Sequence, residues 1–89
     1  MKIHELKIKA DYASDVYFDR KKFELRKNDR DFQVGDLLKF KVVYHEEIYW
    51  FTALEDRLYK ITYILKDVPE YGLNKDYCIL GITRLVEAE

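Results

Sequence analysis

The stretch from Arg20 to Arg30, RKKFELRKNDR, crowds arginine and lysine around a single glutamate and runs into a loop rich in Asn and Asp. Read as a strand, it places Lys22, Glu24 and Arg26 on one face at i, i+2 and i+4, with Cβ atoms about 6–7 Å apart, and Phe23 and Leu25 on the other. Such a face can hold a polar ligand. Arginine offers a planar fork of donors for phosphate or a base edge, lysine a mobile cation, and glutamate an acceptor for an amino group or a proton. Lys21, at a helix-to-strand junction, is not bound by the alternation and can turn toward the same pocket, with Asn28 and Arg30 at its edge. Alternating charge is also what a solvated strand face with weak ion pairs looks like, so spacing alone leaves both readings open.

Other chemistry-bearing residues are few. His4 starts an alternating segment on the face of Leu6 and Ile8, where it is either a ligand contact or a buried wall residue with a satisfied ring. The single cysteine, Cys78, cannot form an intrachain disulfide and reads as a small buried hydrophobe in an apolar strand. No Cys/His grouping has zinc-ligand spacing, and no metal or cofactor is expected. The eight Tyr and Trp50 could stack bases, but most occupy strand positions where filling the core accounts for them. Tyr44, Tyr49 and Trp50, beside a polar break, suit a cleft rim or a partner surface.

The chain that must position these groups has 89 residues, 48% of them hydrophobic and 37% charged, with three Gly and one Pro. That composition excludes collagen-like, low-complexity and disordered classes and points to one folded domain spanning residues 1–89. A core this small leaves room for a shallow cleft or a barrel mouth rather than an enclosed cofactor chamber. The longest charge-free runs are about seven residues, far short of the roughly twenty needed to cross a bilayer. MKIHELKIK alternates charge with apolar residues instead of presenting a signal peptide's apolar block, so a soluble cytoplasmic protein is expected. Net charge is −1 but uneven: residues 1–30 carry +3 and residues 31–89 carry −4. Any nucleic-acid contact is therefore a local patch built from the first third of the chain.

Lys2 to Lys9 alternates as a half-buried strand. ADYASDVYFDR sets Tyr12, Val16 and Tyr17 at helical spacing behind a possible Asp11 cap, which predicts a short helix across one end of a sheet. Lys22 to Lys27 is the second strand. Val34-Gly35-Asp36 makes a tight loop, and Leu37 to Tyr44 is the third strand. The run IYWFTALEDR is ambiguous between strand and helix. Leu58 to Leu65 predicts a strand, Asp67 to Asp76 a loop punctuated by Pro69, Gly72 and Asn74, and Tyr77 to Leu85 the last strand. The class is mainly β with one or two short helices (α+β), and five or six strands on so few residues pack best as a small barrel.

Asp19-Arg20-Lys21-Lys22-Phe23-Glu24-Leu25-Arg26 is similar to the G-x-K-x-x-E-x-R signature of ASCH domains, the activating-signal-cointegrator homology group of the PUA-like superfamily. Lys21, Glu24 and Arg26 fall on its three charged positions, while Asp19 replaces its glycine. MKIHELKIK, FELRKNDRDFQVGD, ITYIL and the closing Tyr77 to Ile82 extend the resemblance to the small bacterial and phage branch over nearly the whole chain. It implies a PUA-like β-barrel with a charged cleft near its mouth and an RNA or nucleotide-like ligand. Lys21 and Arg26 would then meet phosphate or a base edge, and Glu24 would orient Lys21 or accept from the ligand. Some ASCH relatives are amidohydrolases acting on a modified nucleoside through the motif lysine, a threonine just after it and a distant glutamate. Here Glu24 stands in the threonine place, so that nucleophile is missing, although Lys21 beside Glu24 keeps general acid–base chemistry open. Three functions follow: an RNA- or nucleotide-binding module, a small hydrolase on a modified nucleoside, or an interaction module joined through Tyr44 to Phe51.

Overall fold

The computed structural model of the chain describes residues 1–44 and 52–86. Strand β1 (Ile3–Lys9) alternates as expected, with His4, Leu6 and Ile8 buried. Helix α1 (Ala10–Tyr17) follows without a loop. Its N-cap residue is Lys9, with no side-chain cap, and Asp11 lies in the first turn, where a carboxylate suits the positive end of the helix. Ala13 and Val16 are its buried residues, so Tyr12, expected inside, is turned out.

The helix ends in a left-handed backbone turn. Asp19, standing where the ASCH signature has glycine, adopts the left-handed conformation at φ 61°. The amides of Arg20 and Lys21 then both reach Asp15 O at 2.9 Å, and the chain turns into the next strand. Aspartate tolerates this region better than most residues, whereas a β-branched side chain clashes there. Asp19→Val is expected to lower stability by about 1–2 kcal/mol in urea denaturation, and Asp19→Gly to hold or raise it.

Strand β2 (Phe23–Lys27) precedes β3 (Leu37–Val43), a short 3-10 turn at Ala53–Asp56, β4 (Leu58–Val68), a second such turn at Pro69–Tyr71, and β5 (Leu73–Arg84). The segment expected as a loop from Asp67 to Asp76 is mostly strand. Pro69–Tyr71 and Gly72, at φ 87°, reverse the chain, and the polar Asn74 to Asp76 are exposed residues of β5, where a polar side chain costs nothing. Of the ambiguous run, Ala53–Asp56 is described and buries Leu54. Tyr49 and Trp50, and most of the interaction surface expected between Tyr44 and Phe51, lie outside the described residues; Tyr44 packs partly buried against the core.

The five strands form one mixed sheet in the order β1-β3-β4-β5-β2. β1 runs parallel to β3, from Ile3 opposite Leu37 to Lys9 opposite Val43, and the other pairs are antiparallel. Register shifts between Ile61 and Tyr63 and between Lys66 and Val68 bend β4, as bulges do. Leu38, Phe40, Tyr59, Ile61 and Leu80 fill the concave side, with Val16 of α1 and Cys78. Tyr59 reaches Val16 O at 3.4 Å through its hydroxyl, and Phe40 meets its ring edge-on at 5.7 Å. Among the described tyrosines Tyr59 is buried, Tyr17 and Tyr44 pack partly buried against the core, and Tyr12, Tyr63, Tyr71 and Tyr77 are exposed, against the expectation that most fill the core.

β1 and β2 are the two edges of the sheet, and among the described residues no ladder joins them. The sheet curls until these edges face each other across a gap. Arg30, just past β2, bridges it by donating to Glu5 O on β1 at 2.8 Å. The small β-rich α+β class is therefore as expected, with five strands and an open seam.

Candidate functional site

The seam holds a cavity of about 460 Å³ walled by both edges. β1 contributes Lys7, Ile8 and Lys9, and α1 contributes Tyr12. Lys21 and the run from Phe23 to Arg26 form the opposite wall.

β2 reverses the usual polarity of a half-buried strand. Phe23 and Leu25 are 46% and 56% exposed, while Glu24 is only 2% exposed. A carboxylate is tolerated there because both its oxygens are engaged. Lys21 Nζ contacts Oε2, and Arg26 donates to Oε1 through Nε at 3.1 Å and through a terminal nitrogen at 2.7 Å. Lys21 also donates to Phe23 O at 2.8 Å and lies 4.9 Å from the Phe23 ring centroid and 5.8 Å from that of Tyr12. Two of the ammonium's three donors are thus used, and two of the guanidinium's five, which leaves the remainder for a guest. Lys21 and Arg26 keep about a fifth of their side chains exposed. Glu24 holds and aims the two cations.

A smaller cavity of about 120 Å³ continues along the seam between Leu6, Arg26, Arg30 and Phe32. Arg26 belongs to both hollows and stands between them.

Of the residues expected at the site, Lys21, Glu24 and Arg26 converge on the main cavity and Arg30 lines the smaller one. Three do not assemble with them. Lys22 is exposed and precedes the strand, so the alternation that grouped it with Glu24 and Arg26 does not reach it. Asn28 is held on the β5 side, its amide donating to Asp76 O at 2.8 Å and its side chain to Lys75 O at 3.4 Å. His4 is a buried wall residue: Nε2 donates to Asp36 Oδ2 at 2.8 Å, and the ring packs against Phe32 with centroids 4.7 Å apart. Sequence reasoning missed Lys7, Lys9 and Tyr12. The excess positive charge of the first thirty residues was the available signal, but only the curl of the sheet brings β1 to β2.

Among the described residues no group of three or more His, Cys, Asp or Glu could hold a metal ion, and no helix is long and apolar enough to cross a membrane. Cys78 is fully buried, and desolvation pushes its thiol up from the ordinary value.

Fold and site together define a small α+β protein whose curled mixed sheet leaves a cation-walled cavity at its seam. The chain belongs to the family described as a domain of unknown function, DUF3850, whose family model matches residues 3–82. No curated protein matches it.

Proposed function

We propose that the chain is an ASCH-like member of the PUA-like superfamily and that its seam cavity binds one nucleotide unit, of RNA or of a nucleotide-like ligand. The observation carrying this reading is the buried Glu24 carboxylate fixed between Lys21 and Arg26 at the cavity wall. Fixing both cations in advance reduces the ordering cost when an anion arrives. The free edge of the Arg26 guanidinium suits a phosphate or the acceptor edge of a base, and Tyr12 offers a ring for stacking. A single buried thiol fits cytoplasmic residence.

A second reading, hydrolysis of a modified nucleoside, draws on the contact between Lys21 Nζ and the Glu24 carboxylate. The described wall of the cavity contains no Ser, Thr or Cys, so water would be the nucleophile and Lys21 with Glu24 the acid–base pair.

The binding reading is tested by fluorescence anisotropy with labelled single-stranded RNA between about 50 and 200 mM salt. Wild type is expected to bind with a negative slope of log K against log salt. Arg26→Ala should weaken binding by about tenfold and flatten the slope by about 0.7. Absence of binding, or equal salt-independent binding by both proteins, rejects it.

A further inference from the structure

We propose that the ligand is an RNA strand rather than a free nucleotide, its backbone phosphates leaving the cavity over Lys9, Lys7 and Lys41 on the outer faces of β1 and β3. This rests on the nucleotide-binding reading of the cavity and extends it from β1 and β2 to β3.

The parallel register makes the case. Inward residues of β1 and β3 are buried, so the intervening positions look outward together. Glu5 stands opposite Lys39, a complementary pair, but the next outward rung sets Lys7 opposite Lys41. Adjacent strands lie about 4.8 Å apart, and like charges facing each other at that distance oppose folding. Among the described residues Lys7, Lys9 and Lys41 take part in no ion pair. Among the described residues Glu5, opposite Lys39 in the register, forms no ion pair with these lysines, and the Glu55 carboxylate accepts from the amide of Val42 at 2.8 Å.

This repulsive rung is continuous with the cavity, because Lys7 and Lys9 line it alongside Lys21 and Arg26. Along β1 the two lysines recur every second residue, about 6.7 Å, and Lys41 extends the row sideways onto the next strand. A mononucleotide held at Arg26 leaves Lys41, which is outside the cavity wall, unneutralised. A polymer with regularly spaced charges satisfies cavity and row at once, whereas a lipid surface has no reason to follow the seam.

The test titrates a nucleoside monophosphate and a labelled single-stranded RNA of about ten nucleotides against wild type, Lys41→Thr and Lys7→Thr, with thermal melting of each protein. Each substitution is expected to weaken the oligonucleotide about three- to tenfold and to reduce its salt slope by about 0.7, while nucleotide affinity of Lys41→Thr stays unchanged. Melting temperature should hold or rise, because the like-charge rung is relieved and threonine favours a strand; a merely structural lysine would lower it. If both variants bind the oligonucleotide as wild type does while Arg26→Ala weakens it, the row is wrong and the cavity reading survives. If wild type binds neither nucleic-acid probe, both readings fail. Binding of phosphatidylserine vesicles without RNA binding overturns the strand in favour of a membrane surface.

Discussion

Replacing Glu24 by alanine is expected to cost about 3 kcal/mol of stability, a fall in melting temperature of roughly 12–24 °C for a domain of this size. The carboxylate is 3% exposed and receives Lys21 on one oxygen and Arg26 on the other. Its loss leaves two cations repelling each other at the cavity wall without their shared acceptor. Their residual exposure keeps the cost toward the low end of the range for a broken buried pair, since water can reach both. A companion variant, Lys21→Met with Glu24→Leu and Arg26→Leu, separates stability from purpose. An apolar replacement of a whole buried charge cluster is commonly neutral or stabilising, so it should melt at or above wild type while RNA binding disappears. Urea denaturation and anisotropy on the same preparations decide it. A triple variant that cannot fold would make the cluster chiefly a structural element.

The second large effect is centred on Asp36, 4% exposed at the entrance to β3. Oδ2 accepts from His4 Nε2 at 2.8 Å and from the Gln33 amide at 3.1 Å, and Oδ1 accepts from the Lys2 amide at 3.1 Å. Its backbone oxygen takes the Ile61 amide at 2.9 Å. One side chain thus ties the start of β1 to the turn before β3, and Leu37 N donating to Lys2 O at 2.8 Å begins the parallel ladder beside it. The His4 hydrogen bond, helped by the two amides and opposed by burial, lowers the Asp36 pKa from 3.8 to about 2. Because the folded-state value is the lower one, the contribution is complete above about pH 4 and disappears as pH falls toward 2. It amounts to about 2 kcal/mol. Asp36→Asn turns an amide toward donors that require acceptors and should cost about 2–4 kcal/mol at neutral pH. Its stability should also lack the Asp36 component of the acid decline. Chemical denaturation from pH 6 to 2 measures both, and a variant tracking wild type through that window would contradict the assignment.

These two positions show what local pattern can and cannot reveal. Strands β1 and β3 were readable because His4-Leu6-Ile8 and Leu38-Phe40-Val42 alternate cleanly against charged neighbours. The charged face of β2 was equally visible, but its direction was not. Hydrophobicity alone would send Phe23 and Leu25 inward, and the inversion depends on Lys21, which reaches Glu24 from outside the strand. The ASCH-like spacing selected Lys21, where strict alternation selected Lys22. The His4–Asp36 pair joins residues 32 apart in sequence through a parallel pairing that no turn announces. Lys7, Lys9 and Tyr12 escaped for the same reason: their role exists only once the sheet has curled.

That curl has a consequence for how loading and integrity are coupled. Residues 3–27 supply both lips of the opening, while β3, β4 and β5 form the hoop that carries one lip round to the other. Arg30 supplies one protein-made stitch across it. A guest touching Lys9 on one lip and Arg26 on the other therefore acts as a clasp on a split ring, and every such contact adds its binding energy to the resistance of the hoop against springing apart.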